Sequence, residues 1–185
     1  MKFMGNTQTQ SMYMQNTNSN EINKLINKLD SKKSSGFDEL SAKFLQLCAP
    51  YISEPLEIIF NACISKGVYP DLLKIARVTP IYKKGTKSDP SNYRPISVLS
   101  TVNKLFEKIL HNRLYKYLTK FNILYEYQFG FREGHSTTQA LVEITDRIKF
   151  AIDKQELTCG IFVDLSKAFD TVDHNILLQK CINMV

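Results

Sequence analysis

Residues 158–174 read TCGIFVDLSKAFDTVDH, and the front of this stretch, TCGIFVDL, is an almost unbroken apolar run. Such a run predicts a strand covered on both faces, a central strand of a sheet. Asp164 stands at its end. A carboxylate there costs free energy unless it is paired or solvated, and sheets often place chemistry at the carboxyl ends of their strands. Three readings are open: Asp164 caps the turn that follows, accepts a phosphoryl group, or holds a divalent cation for phosphoryl transfer. Aspartyl phosphatases usually carry a second acid two positions on, where this chain has Ser166. Receiver domains need an earlier acidic pair at a strand end, and none is evident. Of the carboxylates downstream, Asp170 and Asp173, the latter reads as the N-cap of a final helix from about His174, with Ile176, Leu177, Cys181 and Ile182 on its apolar side.

Working back from this strand, a helix begins near Ser136, where Ser136 and Gln139 fit a capping box, and continues through Leu141, Ile144, Ile148 and Ile152. Gly130 and Gly134 punctuate EYQFGFREGHS before it. Earlier still, Ser100 predicts the N-cap of a long amphipathic helix whose buried side is Val102, Leu105, Phe106, Ile109, Leu114, Tyr117 and Leu118. Residues 76–98 predict a hairpin, ARVTPIYKK and YRPISVL joined by the turn chemistry of GTKSDPSN. Pro80 and Pro95 lack ladder donors, so both arms should be exposed or irregular.

The front of the chain is helical. Ile22, Leu25, Ile26 and Leu29 recur at i, i+3, i+4 and i+7 after Asn20 as cap. After the basic turn KKSSGF, broken at Gly36, a second helix carries Leu40, Phe44, Leu45 and Cys48 and stops at Pro50. A third runs from about Ser53 with Pro55 in its first turn, buries Leu56, Ile59, Phe60 and Cys63, and closes at Gly67. Residues 1–20 read as a flexible tail. No internal repeat is visible.

The balance of 24 Lys and Arg against 18 Asp and Glu favours polyanionic partners to a modest degree. Cys48, Cys63, Cys159 and Cys181 lie far apart, as do the three histidines, so neither set has zinc-ligand spacing. The cysteines read as buried, reduced thiols. With no apolar run long enough to cross a bilayer and no apolar stretch at the start, the expectation is an intracellular protein, nuclear or cytoplasmic, without a membrane partner.

The segment IFVDLSKAFDTVDH is similar to the first palm motif of reverse transcriptases, particularly those of non-LTR, LINE-like (jockey-like) retrotransposons. The upstream KKSSGFDELSAKFL, then NYRPISVLSTVNKLFEKIL and QFGFREGHSTTQAL, resemble further blocks of that family in the family's order. The resemblance implies an α+β fold, the N-terminal half of a right-hand polymerase. Its parts would be a tail over 1–20, a helical N-terminal extension over 21–75, fingers over 76–157, and the first strand and helix of the palm over 158–185. It implies that Asp164 is the first metal-binding aspartate, with the Leu165 carbonyl as a further Mg²⁺ ligand and backbone amides through Ala168 near the triphosphate. Phe169 matches the aromatic gate that crowds a ribose 2′-hydroxyl. Lys83 (or its neighbour Lys84) and Arg94 match the basic residues that grip the nucleotide's phosphates. Gln128, Gly130 and Arg132 match the block that tracks the template, while Phe129 and Phe131 are as fit for the core as for base stacking. Lys28, Lys32 and Lys33 lie in the extension that in the family helps hold template RNA.

The implied partners are an RNA template, a DNA primer and a deoxynucleoside triphosphate. The paired aspartates of a YxDD-type hairpin do not occur in these 185 residues. One aspartate cannot hold two ions in catalytic geometry, so the expectation is a reverse transcriptase fragment inactive by itself that binds Mg²⁺ weakly. The alternative is a non-catalytic module that binds RNA or associates with a full-length polymerase. A lone palm strand with unpaired edges also implies poor solubility.

Overall fold

The computed structural model describes residues 11–165 and 168–184. Contacts divide the described residues into two units, one over Tyr13–Tyr117 and the other from Leu118 onward. The mixed α+β character is present, with five α-helices and one two-stranded sheet among the described residues.

In the first unit, α1 spans Ser19–Asn27 and α2 Ala42–Lys66, and α3, over Thr101–Lys120, has all but its last three residues there. The helix periodicity buries one stripe from each: Ile22 and Ile26, then Leu45, Ala49, Leu56 and Phe60, then Leu105, Phe106 and Ile109. Phe60 and Phe106 stack at 4.7 Å, with Tyr69 tilted against Phe106 at 5.2 Å. Each fully covered aliphatic or aromatic side chain contributes about 1.5–3 kcal/mol, so this three-helix stripe is the core. Tyr69 places its hydroxyl on the Asn103 Oδ1, and its removal from water, with Glu107 nearby, pushes its pKa up to about 12.

Three local expectations change. The cap of α1 is Asn18, not Asn20, because the Asn18 side chain accepts the Glu21 N–H at 2.9 Å and the helix starts two residues early. Next, α2 does not stop at Pro50: it runs unbroken through Pro50 and Pro55 to Gly67, whose φ of 62° gives the left-handed cap. Both prolines are solvent-facing, so the carbonyls they leave without donors can take water, while Ala49, Leu56 and Phe60 keep the helical phase across them. The same phase leaves Phe44 outside the buried stripe, at 52 % exposure. Third, residues 11–18 have no regular structure but are not loose throughout. Thr17 is buried, its N–H donates to Asn61 Oδ1 at 2.8 Å, and the Asn61 amide donates back to its carbonyl at 3.0 Å.

Ser100 caps α3 as predicted, accepting the Asn103 N–H on its hydroxyl at 3.0 Å. The hairpin forms too, β1 over Ala76–Tyr82 antiparallel to β2 over Tyr93–Leu99, with both arms largely exposed. Pro80 sits directly opposite Pro95, so the two residues without donors face each other and no ladder bond is lost elsewhere. Gly36 is buried against this hairpin's base: a Cβ there would lie 2.6 Å from the Ser100 nitrogen and 2.7 Å from the Leu99 carbonyl carbon.

In the second unit, α4 spans Thr137–Asp153 and α5 His174–Met184. The Ser136–Gln139 capping box closes in both directions, and Asp173 caps α5 by accepting the N–H groups of Asn175 and Ile176 at 2.9 and 3.2 Å. The predicted central strand is absent. Residues 158–165 carry no regular structure, and Ile161, Phe162 and Val163 are 86, 89 and 80 % exposed. A strand exists only when a neighbour takes its N–H and C=O groups, and no described segment does so. For the same want of a covering layer, α4 buries none of its residues, and Cys159 and Cys181 are exposed thiols, not buried ones.

Candidate nucleotide and template site

The hairpin's register decides which basic residues act together. Ile81 pairs with Arg94 and Tyr82 with Tyr93, and the Lys83 N–H donates to the Asn92 carbonyl at 2.8 Å, extending the ladder by one step. Side chains alternate faces along a strand, so Lys83 shares a face with Ile81 and therefore with Arg94, as a diagonal pair. Lys84 falls out of that alternation. Arg77 lies on the same face farther down, with its guanidinium donating to the Ser35 carbonyl at 2.9 Å. Among the described residues neither Lys83 nor Arg94 is in an ion pair.

The loop that joins the arms is held by its own side chains. Tyr82 bonds the Gly85 carbonyl, the Asn92 amide donates to Thr86 O at 2.9 Å, and the Tyr93 hydroxyl donates to Lys87 O at 2.9 Å. Gly85 has φ 96° with the Asn92 side chain against it, a place where any Cβ would be strained. Asp89 accepts the Ser91 N–H at 2.8 Å, and hydrogen bonding from Ser91 lowers its pKa.

The QFGFR segment is a compact turn. Gln128 directs its amide to the Gly130 carbonyl at 3.2 Å, and Arg132 donates to the carbonyls of Tyr125 and Glu126 at 2.9 and 3.4 Å. Both side chains expected on a template are thus engaged by their own loop. A Cβ on Gly130 would meet nothing within 4 Å, leaving the backbone open to approach. Phe131 has φ 57°, an uncommon value for a bulky residue, and stands 92 % exposed. Its ring meets Phe169 edge-on, centroids 6.1 Å apart at 88°. Sequence reading singled out Phe169 but had no signal for this partner, because the pairing depends on the left-handed backbone at Phe131.

Asp164 and Leu165 are exposed, as are Ala168 and Phe169, so Phe169 is not a core residue here. The turn at 166–167, where backbone amides were expected to form an anion nest, lies outside the described residues. Lys83 and Arg94 belong to one unit, and Asp164, Phe169, Gln128, Gly130 and Arg132 to the other.

A sequence profile described as reverse transcriptase (RNA-dependent DNA polymerase) matches residues 81–185, more than half of the chain. The chain belongs to the reverse transcriptase family. Over 86 % of its length this reverse transcriptase chain is 37 % identical to the probable RNA-directed DNA polymerase from transposon BS of Drosophila melanogaster. Over 86 % it is 34 % identical to the RNA-directed DNA polymerase from mobile element jockey of the same species, and over 89 % it is 31 % identical to that of Drosophila funebris. It spans about 18 % of the length of each of these relatives. The resemblance to jockey-like non-LTR retrotransposon enzymes is borne out. Enzymes of this family generally use a divalent metal, yet among the described residues no three acidic, histidine or cysteine side chains come together to hold one. Asp164 alone does not fit an ion site. None of the described helices is long and apolar enough to cross a membrane.

Proposed function

We propose that this chain is the nucleotide- and template-receiving front of a retrotransposon RNA-directed DNA polymerase, with a helical extension before residue 76, fingers to 157 and the start of a palm after it. The observation that carries this reading is the shared hairpin face of Lys83 and Arg94. Two cations on one face of an exposed arm, stiffened by side-chain bonds in its loop, suit a triphosphate. Lys83 acts as a point charge and Arg94 as a planar fork for phosphate oxygens. The register favours Lys83 over Lys84.

In this reading Phe169 screens the sugar of the incoming deoxynucleotide, and Gln128, Gly130 and Arg132 follow the template backbone once Gln128 and Arg132 leave their loop carbonyls. Asp164 is the first of the family's metal-binding carboxylates, with Leu165 beside it. It does not form an ion site by itself, so the 185 residues alone do not polymerise and bind Mg²⁺ only weakly.

The test uses the full chain with a primed RNA template. Binding of template–primer and of dNTP is expected to weaken several-fold with Lys83→Ala and with Arg94→Ala, and far less with Lys84→Ala. RNA binding is expected to fall steeply with salt, and Mg²⁺ with dNTPs to give no primer extension. Equal effects of the three substitutions would remove the role assigned to the hairpin face, and template-dependent extension would overturn the inactivity.

A further inference from the structure

The first unit holds a cavity of about 440 Å³ between the end of α1, the start of α2 and the front of α3. Its floor is aliphatic: Ala42 and Leu105 are buried, and Leu25 and Leu29 half-buried. Its rim is basic, formed by Lys28, Lys33, Lys104 and Lys108. Lys104 is fixed by donating to the Ser34 carbonyl at 3.1 Å, while among the described residues Lys28, Lys33 and Lys108 are in no ion pair. Asp30 is the one acid on the rim, and it accepts the Lys32 N–H at 2.9 Å. None of these residues belongs to the hairpin face or to the Gln128–Arg132 turn, while Lys28 and Lys33 lie in the extension whose family counterpart helps hold template RNA.

From this combination we propose that the cavity docks an acidic amphipathic segment of a partner protein, aliphatic side chains on the floor and carboxylates among the lysines. The argument is complementarity of both kinds at once. Four lysines around a site favour an anion, but the chemistry inside decides its class. A nucleic acid strand could satisfy the lysines with its phosphates, but that would leave the aliphatic floor without a partner, and seating bases there would want aromatic rings or planar donors. The lining holds no aromatic, Arg, Asn or Gln side chain. An aliphatic floor of this size instead takes two or three leucine-like side chains spaced along one face of a helix, the helix-in-groove mode of recognition.

The probe is a labelled Ala-rich helical peptide of about 20 residues with Leu at i, i+4 and i+7 and a few Glu flanking that stripe, titrated into the full chain by fluorescence anisotropy. Binding is expected in the micromolar range, weakening several-fold with the reversal Lys108→Glu, whose site is exposed and leaves the core and the template-holding lysines untouched. Replacing the peptide's leucines by serine is expected to weaken it about as much. No binding, or binding indifferent to the reversal, overturns the proposal. Equal binding of the serine peptide also overturns it, since simple charge attraction then suffices. Tighter binding of a single-stranded RNA of equal charge, lost on the same reversal, overturns it in favour of a nucleic acid groove. Primer–template binding that survives the reversal keeps this result separate from the hairpin reading.

Discussion

Arg113 and Glu21 meet through two hydrogen bonds of 2.6 Å each, and the same guanidinium donates to the carbonyls of Gln15 and Asn16 at 3.1 Å. Their side chains are only 14 and 28 % exposed, so this pair is no loose surface contact. Hydrogen bonding from Arg113 holds the Glu21 carboxyl below its ordinary range, burial opposing and Thr17 assisting. Arg113→Ala leaves the half-buried carboxylate to the Thr17 hydroxyl and two carbonyls without the guanidinium, and is expected to cost about 1–3 kcal/mol. Because the folded pKa is lowered, the stabilisation is complete above the unfolded carboxylate value and disappears as pH falls through the folded one. Denaturant midpoints of the native chain and Glu21→Gln should therefore differ at pH 7 and converge in acid; an undiminished gap at pH 3 would show the charge to be irrelevant. Gly36 gives a second residue-scale expectation. An alanine Cβ there meets the backbone of Leu99 and Ser100 at 2.6–2.7 Å, atoms that no rotamer change can move. Gly36→Ala should destabilise by about 1–3 kcal/mol, and an unchanged melting temperature would mean that this backbone approach is not tight in solution.

At the scale of elements, α2 poses the sharpest question, since two prolines lie within one helix of 25 residues. An interior proline removes a helix donor and crowds the carbonyl four residues back, at about 3 kcal/mol. Burial of Leu45 and Ala49 before Pro55, and of Leu56 and Phe60 after it, offsets this. Pro50→Ala restores the bond to Gln46 and should raise stability by about 1–2 kcal/mol after the greater entropy of the unfolded chain is counted. A lower denaturation midpoint would mean that the helix bends usefully at Pro50. The sequence reading ended a helix there because local chemistry alone argues for a break. What decided otherwise was packing against α1 and α3, which no local window contains. Features governed by near neighbours were legible: the hairpin, the Ser136–Gln139 box, the Ser100 and Asp173 caps and the Gly67 terminus all depend on residues within a few positions. The face shared by Lys83 and Arg94 needed the register, which follows only once Pro80 is known to oppose Pro95. The strand through Asp164 was read from composition, and composition cannot supply the neighbour a strand requires.

For the whole molecule, the described apolar residues that are fully buried all lie between Ile22 and Ile109. None lies in α4, whose apolar stripe of Leu141, Ile144, Ile148 and Ile152 is 38–64 % exposed. Local opening free energy follows the apolar surface an element covers. Amides of α1, α2 and the first turns of α3 should therefore exchange slowly, while those of α4 and α5 exchange orders of magnitude faster under native conditions. The uncovered run from Leu157 to Leu165, apolar and with backbone groups unpaired, is the place where a second chain can add a strand. This predicts concentration-dependent aggregation that leaves the slow-exchanging helices intact. Replacing Phe162 or Val163 by Lys places a charge in the run without touching the core. Either change should suppress aggregation, read by light scattering, and leave the melting temperature where it was. If scattering persists in both variants, or if α4 proves as protected as α3, then residues 118–184 are folded against something in solution and the exposed strand is not the adhesive element.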